Sequence, residues 1–312
     1  MGKRKLTFFS SGADTFLSDI IANFNKDKEY EVKNFSNGTR EEFYHYLHDT
    51  DIAWYEWCDQ LAVQASNGPK MTKNIIRLHS YEIFTPFPNQ VNWGNIEKVI
   101  FVSPVIRDIA VAKFKIPIEK TIVISNGIDT SKFSIPKEKK YNKKVAFLGF
   151  MNYKKGPQLL VECFNKIHNY DPAFSFHIAG KHQDERIHLW FQHIENSLPF
   201  KIHWDGWIDD VSKYLEDKDY IINTSLLESQ CLSLMEGMSQ GVVPIIYNWI
   251  GSGFHYPSNF LFNVSDECLK IIKKFEQSDN KEEVRNGLRK YIIDIYDKDK
   301  KHKEIKELID SI

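Results

Sequence analysis

Short apolar runs alternate with longer amphipathic ones from the start of the chain. Leu6 to Phe9 has the length of a strand, Ser10-Ser11-Gly12-Ala13 reads as a turn, and Thr15 to Asn25 sets Phe16, Ile20, Ile21 and Phe24 on one helical face. Glu31 to Phe35 predicts a second strand, Ser36-Asn37-Gly38 a turn, Thr39 the cap of a helix through His48, and Ile52 to Trp57 a third strand. Further strands are expected at Lys73 to His79, Lys98 to Ser103 and Thr121 to Ser125, with a helix from Val105 to Phe114. This rhythm predicts a parallel sheet wound with helices on both faces. In such sheets the carboxyl ends of strands face the ligand crevice, and here they carry Gly12, Glu56-Trp57, His79-Ser80-Tyr81-Glu82 and Ser103. The first turn lacks G-x-G-x-x-G, so a dinucleotide fingerprint is not supported. Glu56 and Glu82 point toward function because a carboxylate there is costly to bury unpaired, whereas His79 reads equally well as a structural histidine.

The pattern breaks between Ser134 and Lys144, where Pro136 and a dense lysine run replace apolar residues. A solvated linker explains the run better than a phosphate-binding arm, since Tyr141 is its one aromatic. After it, strands are expected at Val145 to Phe150, Phe174 to Gly180, Lys201 to Trp207, Tyr220 to Ser225 and Val242 to Tyr247. Helices are expected from Pro157 to Tyr170, with proline at a position where its missing N–H costs nothing, and from Asp184, Asp209 and Gln230. Asp266 to Gln277, Glu282 to Asp297 and His302 to Ile312 are also helical in pattern. The expected division is therefore 1–138 and 139–280 as two Rossmann-like domains, with 281–312 as helices that pack back across the joint.

The stretch from Ser225 to Gly241 carries the most suggestive chemistry. Its apolar Leu232, Leu234, Met235 and Met238 predict a helix whose free N–H groups fall near Ser229, Gln230, Cys231 and Leu232, just past a strand end. Such a start is an anion site in an α/β protein. Glu228 would stand at its mouth and Glu236 roughly 10 Å deeper along the same helix. A cap-like glutamate followed by a solvated one is the plain alternative. Lys154-Lys155-Gly156, at a strand-to-helix turn, would aim an ammonium at an anion in the crevice or serve as simple surface charge.

Composition narrows the partners. The 312 residues carry 41 basic and 42 acidic side chains, so no global field favours nucleic acid or an acidic membrane, and an anionic ligand must be held locally. The four cysteines, Cys58, Cys163, Cys231 and Cys268, have no metal-ligand spacing and suggest reduced thiols. The apolar run after Lys3, Arg4 and Lys5 is too short for a signal-peptide core, and no run is long enough to span a bilayer. A cytoplasmic protein is expected, with peripheral contact at the inner face of the membrane left open.

Taken together, these segments resemble the retaining family 4 glycosyltransferases, also described as glycosyl transferases group 1, of a bacterial-type subgroup. The resemblance rests on Ser225-x-x-Glu228-x7-Glu236, Gly237-Met238-x-x-Gly241-Val242-x-Pro244, Asn126-Gly127-Ile128-Asp129-x-x-Lys132-Phe133, and Lys155-Gly156 after the strand ending at Gly149. It implies an α/β fold of GT-B type, two Rossmann-like doubly wound parallel-sheet domains facing one another across a cleft, the first on the acceptor side and the second on the donor side. By resemblance, Glu236 would bind the nucleotide ribose and Glu228 the donor sugar, while the N–H groups of Ser229 to Leu232, with Lys154, would hold the diphosphate. Lys155 would neutralise the leaving diphosphate, His79 would lie near the donor sugar, and Gly12 would belong to a loop approaching the phosphates. The implied substrates are a nucleotide-diphosphate sugar and a glycan, lipid-linked or protein acceptor, with no metal and no separate cofactor. Two positions depart from the family pattern: Phe150 stands where an arginine is usual, and Ser229-Gln230-Cys231 replaces a glycine-rich start. A degenerate nucleotide-sugar-binding module and a GT-B epimerase therefore stay open as alternatives.

Overall fold

The structure is a computed structural model that describes residues 2–12 and 15–312, and of 15 and 16 the backbone alone. Ala13 of the expected first turn and the side chain of Phe16 lie outside the described residues. The chain divides into two compact units, one of Met1–Asn126 with Asp299–Ile312 and one of Gly127–Lys298.

In the first unit, β1 (Arg4–Ser10), β2 (Tyr30–Ser36), β3 (Ile52–Glu56), β4 (Lys73–Leu78), β5 (Lys98–Phe101) and β6 (Thr121–Val123) form a parallel sheet in the order β2-β1-β3-β4-β5-β6. Between the strands run α1 (Thr15–Lys26), α2 (Arg40–His48), α3 (Gln60–Asn67) and α4 (Pro104–Phe114). The period-two pattern of β1 works on both faces of the sheet: Leu6 and Phe8 pack with Ile20 and Phe24 of α1, whereas Phe9 points the other way onto Phe35, Phe43 and Tyr55. Thr39 starts α2 through a reciprocal cap with Glu42. The sequence pattern did not disclose α3, whose buried face is built from the small residues Ala62, Ala65 and Ser66 with Val63. Its N-cap is Asp59, which accepts from Leu61 N at 2.9 Å.

The second unit repeats the plan with β7 (Lys144–Leu148), β8 (Ser175–Ala179), β9 (Ile202–Gly206), β10 (Tyr220–Asn223), β11 (Val243–Tyr247) and β12 (Leu261–Phe262). All pairs are again parallel, in the order β12-β11-β10-β7-β8-β9. Its helices are α5 (Pro157–Tyr170), α6 (Glu185–Glu195), α7 (Val211–Leu215), α8 (Leu232–Ser239), α9 (Ser252–His255), α10 (Ser265–Glu276) and α11 (Lys281–Tyr296). Last comes α12 (Lys298–Asp310), whose stripe of Ile305, Leu308 and Ile309 joins the core of the first unit beside Leu6 and Phe8.

The break between the units falls at Asn126/Gly127, and the lysine-rich stretch 134–144 belongs to the second unit. It is fastened there: Lys139 Nζ donates to the carbonyls of Leu215 and Glu216, and Tyr141 Oη donates to Glu276 at 2.9 Å. The segments that pass between the units are knit together within the second, where Ile128 N donates to Tyr296 O and Lys298 N to Ile128 O. The four cysteines are buried and free. Among the described residues, no helix is long and apolar enough to cross a membrane.

Candidate functional site

In the second sheet, the chain runs outward from β7 through β8 and β9, then returns to β10 on the other side of β7. The crevice beyond the carboxyl ends of β7 and β10 is therefore a topological switch point, where doubly wound proteins bind their ligands. It contains a cavity of about 310 Å³, lined by the polar Lys155, Glu228, Gln230 and Ser233 and by the apolar Phe150, Trp207, Ile208 and Val211. Glu236 also lines it.

Backbone geometry brings the lysines there. Gly156 adopts the left-handed conformation (φ 61°), and a Cβ on it would meet the Thr224 carbonyl oxygen at 2.3 Å. The turn thus lies flat on the end of β10, where Thr224 Oγ1 donates to Lys155 O at 2.7 Å and Leu226 N to Lys154 O at 2.8 Å. Docked this way, Lys155 Nζ lies 2.6 Å and Lys154 Nζ 3.0 Å from the two oxygens of Glu228. Burial would push Lys155 toward neutrality, but the Glu228 carboxylate outweighs it and holds the amine above its usual range. Burial likewise opposes ionisation of Glu228, and Lys155 and Lys154 outweigh it, holding its carboxyl low. The site therefore keeps two cations and an anion in place near neutral pH.

Glu236 is different. It is half-buried, its carboxylate accepts no hydrogen bond among the described residues, and desolvation pushes its carboxyl up to about 7 against a weak pull from Lys132. A partly buried acceptor in this state suits hydroxyl donors from a ligand.

The structure corrects the expected helix start at Gln230, while keeping Glu228 before the helix and Glu236 within it. α8 begins only at Leu232, with Cys231 as its N-cap, so Ser229 and Gln230 lie in the preceding loop and Glu228 folds back to the lysines. Side chains compete successfully for that loop's carbonyls: His255 Nε2 lies 2.9 Å from Ser229 O, and Tyr256 Oη donates to Cys231 O at 2.9 Å. Asn223 fixes the other end, its Oδ1 accepting from Ser225 N at 2.9 Å. Burial pushes the His255 imidazole down to about 4, so it acts as a neutral clamp. The first N–H groups of α8, at Leu232 and Ser233, border the cavity.

His79 and Gly12 belong to the first unit. There His79 Nε2 lies 2.7 Å from Glu56 Oε1, and Trp54 Nε1 donates to Glu56 Oε2 at 2.9 Å. Arg77 stands 3.7 Å from the same carboxylate, and Trp57 packs its ring on His79 with centroids 4.4 Å apart. Burial would raise the Glu56 carboxyl, yet Arg77, His79 and Trp54 outweigh it and hold it low. Glu82 accepts from His79 N and Cys58 N, each at 3.1 Å, and burial raises its carboxyl. Trp57 has φ 77°, a strained conformation for a bulky residue, at the carboxyl end of β3. A cavity of about 330 Å³ opens at this edge, lined by Ser11, Asn37, Asp59 and Gln60.

Sequence reasoning missed the apolar wall of Trp207, Ile208 and Val211 and the clamp formed by His255. The wall had a signal in Gly206-Trp207-Ile208, an aromatic directly after a strand end. His255 had none, because only the fold carries it to Ser229. Phe150, in the position expected for arginine, packs on Trp207 with ring centroids 5.4 Å apart, and both residues, 39% and 52% exposed, line the cavity.

Two doubly wound parallel sheets, each with helices between its strands, have the architecture of the GT-B fold. Residues 128–256 match the family described as Glycosyl transferases group 1. The fold superposes on the crystal structure of Anabaena HepE in complex with UDP with a TM-score of 0.83 at 15% identity, covering 99% of this chain and 100% of that one. A glycosyltransferase from Rickettsia africae gives a TM-score of 0.75 at 17% identity, covering 99% and 98%. Staphylococcus aureus TarM, in complex with Fondaparinux, alpha-GlcNAc-glycerol and UDP, gives 0.67 at 20% identity over 82% of this chain and 55% of TarM. These likenesses establish the fold. No curated protein sequence matches the chain.

Proposed function

We propose that the protein is a retaining glycosyltransferase that moves a sugar from a nucleotide-diphosphate sugar to a glycan, lipid-linked or protein acceptor. The observation that carries this reading is the cavity at the β7/β10 switch point, where an ionised Lys155–Glu228 pair adjoins the unpartnered carboxyl of Glu236. The family match of residues 128–256 and the UDP held by Anabaena HepE and by TarM favour a uridine donor.

In this reading, Lys155 and Lys154 hold the diphosphate with the N–H groups at the start of α8, and no metal is required. Each Glu228 oxygen keeps a lone pair for a donor-sugar hydroxyl while accepting from a lysine. Glu236 accepts from the ribose hydroxyls, and Trp207 and Phe150 form an aromatic wall beside the base, with Lys181 over the Trp207 ring. The bond from the anomeric carbon to the diphosphate oxygen breaks as positive charge builds on the sugar. The acceptor oxygen then bonds to that carbon on the same face, and its proton passes to the departing diphosphate. Lys155 stabilises the charge that develops on the leaving group, an effect worth several kcal/mol in a water-poor site.

A thermal-shift screen of UDP, GDP, ADP, CMP and dTDP conjugates tests the donor class, since a ligand that binds the folded state raises the unfolding midpoint. Stabilisation by none of them would remove the reading. Phe150 motivates a second one, a module that binds the nucleotide sugar without chemistry. Release of nucleoside diphosphate from the donor by purified protein separates the two, and an axial or equatorial anomeric proton in the product reports the stereochemistry.

A further inference from the structure

The second unit contains another concave site whose charges do not balance. A cavity of about 480 Å³ is lined by Lys137, Lys139 and Lys140 of the lysine-rich stretch and by Lys281 and Arg285 of α11. The acids facing it are Glu138 and Glu282, and it shares no lining residue with the donor cavity. Arg285 is 7% exposed; its Nη2 donates to Asp219 Oδ1 at 3.0 Å and its Nη1 to Lys139 O at 3.2 Å, while its Nε has no hydrogen-bond partner. Asp219 also accepts from the backbone N–H groups of Asn142 and Lys144. Lys139 makes no ion pair among the described residues, its amine resting on two carbonyls, and Lys137 and Lys140 make none either. Burial, with the Arg285 guanidinium beside it, pushes the Lys139 amine down to about 8 and outweighs the opposite pull of Asp219, Asp217 and Glu216. The first turn of the 16-residue α11 borders the same place, capped by Asn280 and carrying Glu282 and Glu283.

We propose that this groove binds a phosphate-class anion, a phosphomonoester or a diphosphate group, between Lys139 and Arg285 with Lys137 and Lys140 closing over it. The open Nε of Arg285 and the ammonium groups of Lys137 and Lys140 offer donors to the several acceptor oxygens of such a group, and chloride offers no comparable set. The linker stretch thereby acts as a binding element as well as a connection.

Thermal unfolding of the Lys155→Met chain, which lacks the central cation of the donor cavity, is measured with millimolar inorganic pyrophosphate against sodium chloride at equal ionic strength. Pyrophosphate is expected to raise the midpoint by about 3 °C or more beyond chloride. Lys139→Gln should remove that rise, and the exposed double variant Lys137→Gln/Lys140→Gln, which leaves the packed residues intact, should weaken binding about 10-fold. Co-sedimentation with vesicles containing phosphatidic acid identifies the source. Retention that pyrophosphate reverses assigns the groove to a lipid headgroup, and midpoint stabilisation without retention assigns it to a soluble phosphate. Equal effects of pyrophosphate and chloride, or an undiminished response in the double variant, would overturn the proposal.

Discussion

The two units share a strand plan but use buried charge in opposite ways. At the edge of the first sheet, Glu56 is fully buried and its carboxylate is occupied within the fold, by His79 and Trp54 with Arg77 near. At the matching edge of the second, Lys155 and Glu228 are paired beside an open cavity, and Glu236 stands without a hydrogen-bond partner among the described residues. The Glu56 carboxylate is taken up within the fold, although Glu82 Oε2 near it finds no hydrogen-bond partner, whereas an unsatisfied acceptor beside paired cations is arranged to meet something from outside.

Variants on the two sides should therefore fail differently. Glu56→Ala strands Arg77 and His79 in the core and is expected to lower stability by about 3–5 kcal/mol, read by chemical denaturation. Lys155→Ala should reduce transfer by about 10-fold or more while the fold persists, because Lys154 still meets Glu228. If Lys155→Ala instead unfolded the protein and left turnover per folded molecule unchanged, the contrast would be lost. Gly156→Ala, which forces a Cβ toward the Thr224 carbonyl, should cost about 1–3 kcal/mol and weaken donor binding by displacing both lysines.

Glu236→Gln gives a smaller and pH-dependent effect. Its carboxyl is raised from about 4.5 to about 7 in the folded state, so between those values the folded protein binds more protons than the unfolded one. Its contribution to stability is fully present below pH 4.5 and is lost as pH rises through 7. Glu236→Gln should thus be more stable than the parent at pH 8 by about 2 kcal/mol, after allowance for partial exposure, with the gap closing toward pH 4.5. His255 acts with the opposite sign: burial lowers its pKa to about 4, so its contribution is lost as pH falls from 6.5 through 4. Both chains share that loss, and the difference between them isolates Glu236.

Most of the fold was legible because alternation of period two and stripes of period 3.6 survive in the chain: Pro157–Tyr170 and the Thr39 cap were readable from pattern alone. The helix α3 was not, since small residues bury its face without an apolar stripe. At the site, the residue types Lys155, Glu228 and Glu236 were visible, but the start of α8 was misplaced. That start depends on His255 and Tyr256 taking the carbonyls of Ser229 and Cys231 from 26 and 25 residues away, which no local propensity encodes. The packed state of the lysine stretch was hidden for the same reason, because its partners Asp219, Glu276 and Arg285 come from distant elements.

The central claim is that Glu236 meets the donor's ribose. The most direct test is calorimetric binding of UDP-glucose, whose diphosphate does not itself titrate near neutrality, at pH 6 in buffers of different ionisation enthalpy. Ribose hydroxyls that donate to Glu236 stabilise its ionised form, so binding should release up to about one proton, the release should fade by pH 8.5, and Glu236→Gln should abolish it while weakening binding. Binding with no proton release at pH 6, and with the same affinity in Glu236→Gln, would contradict the account.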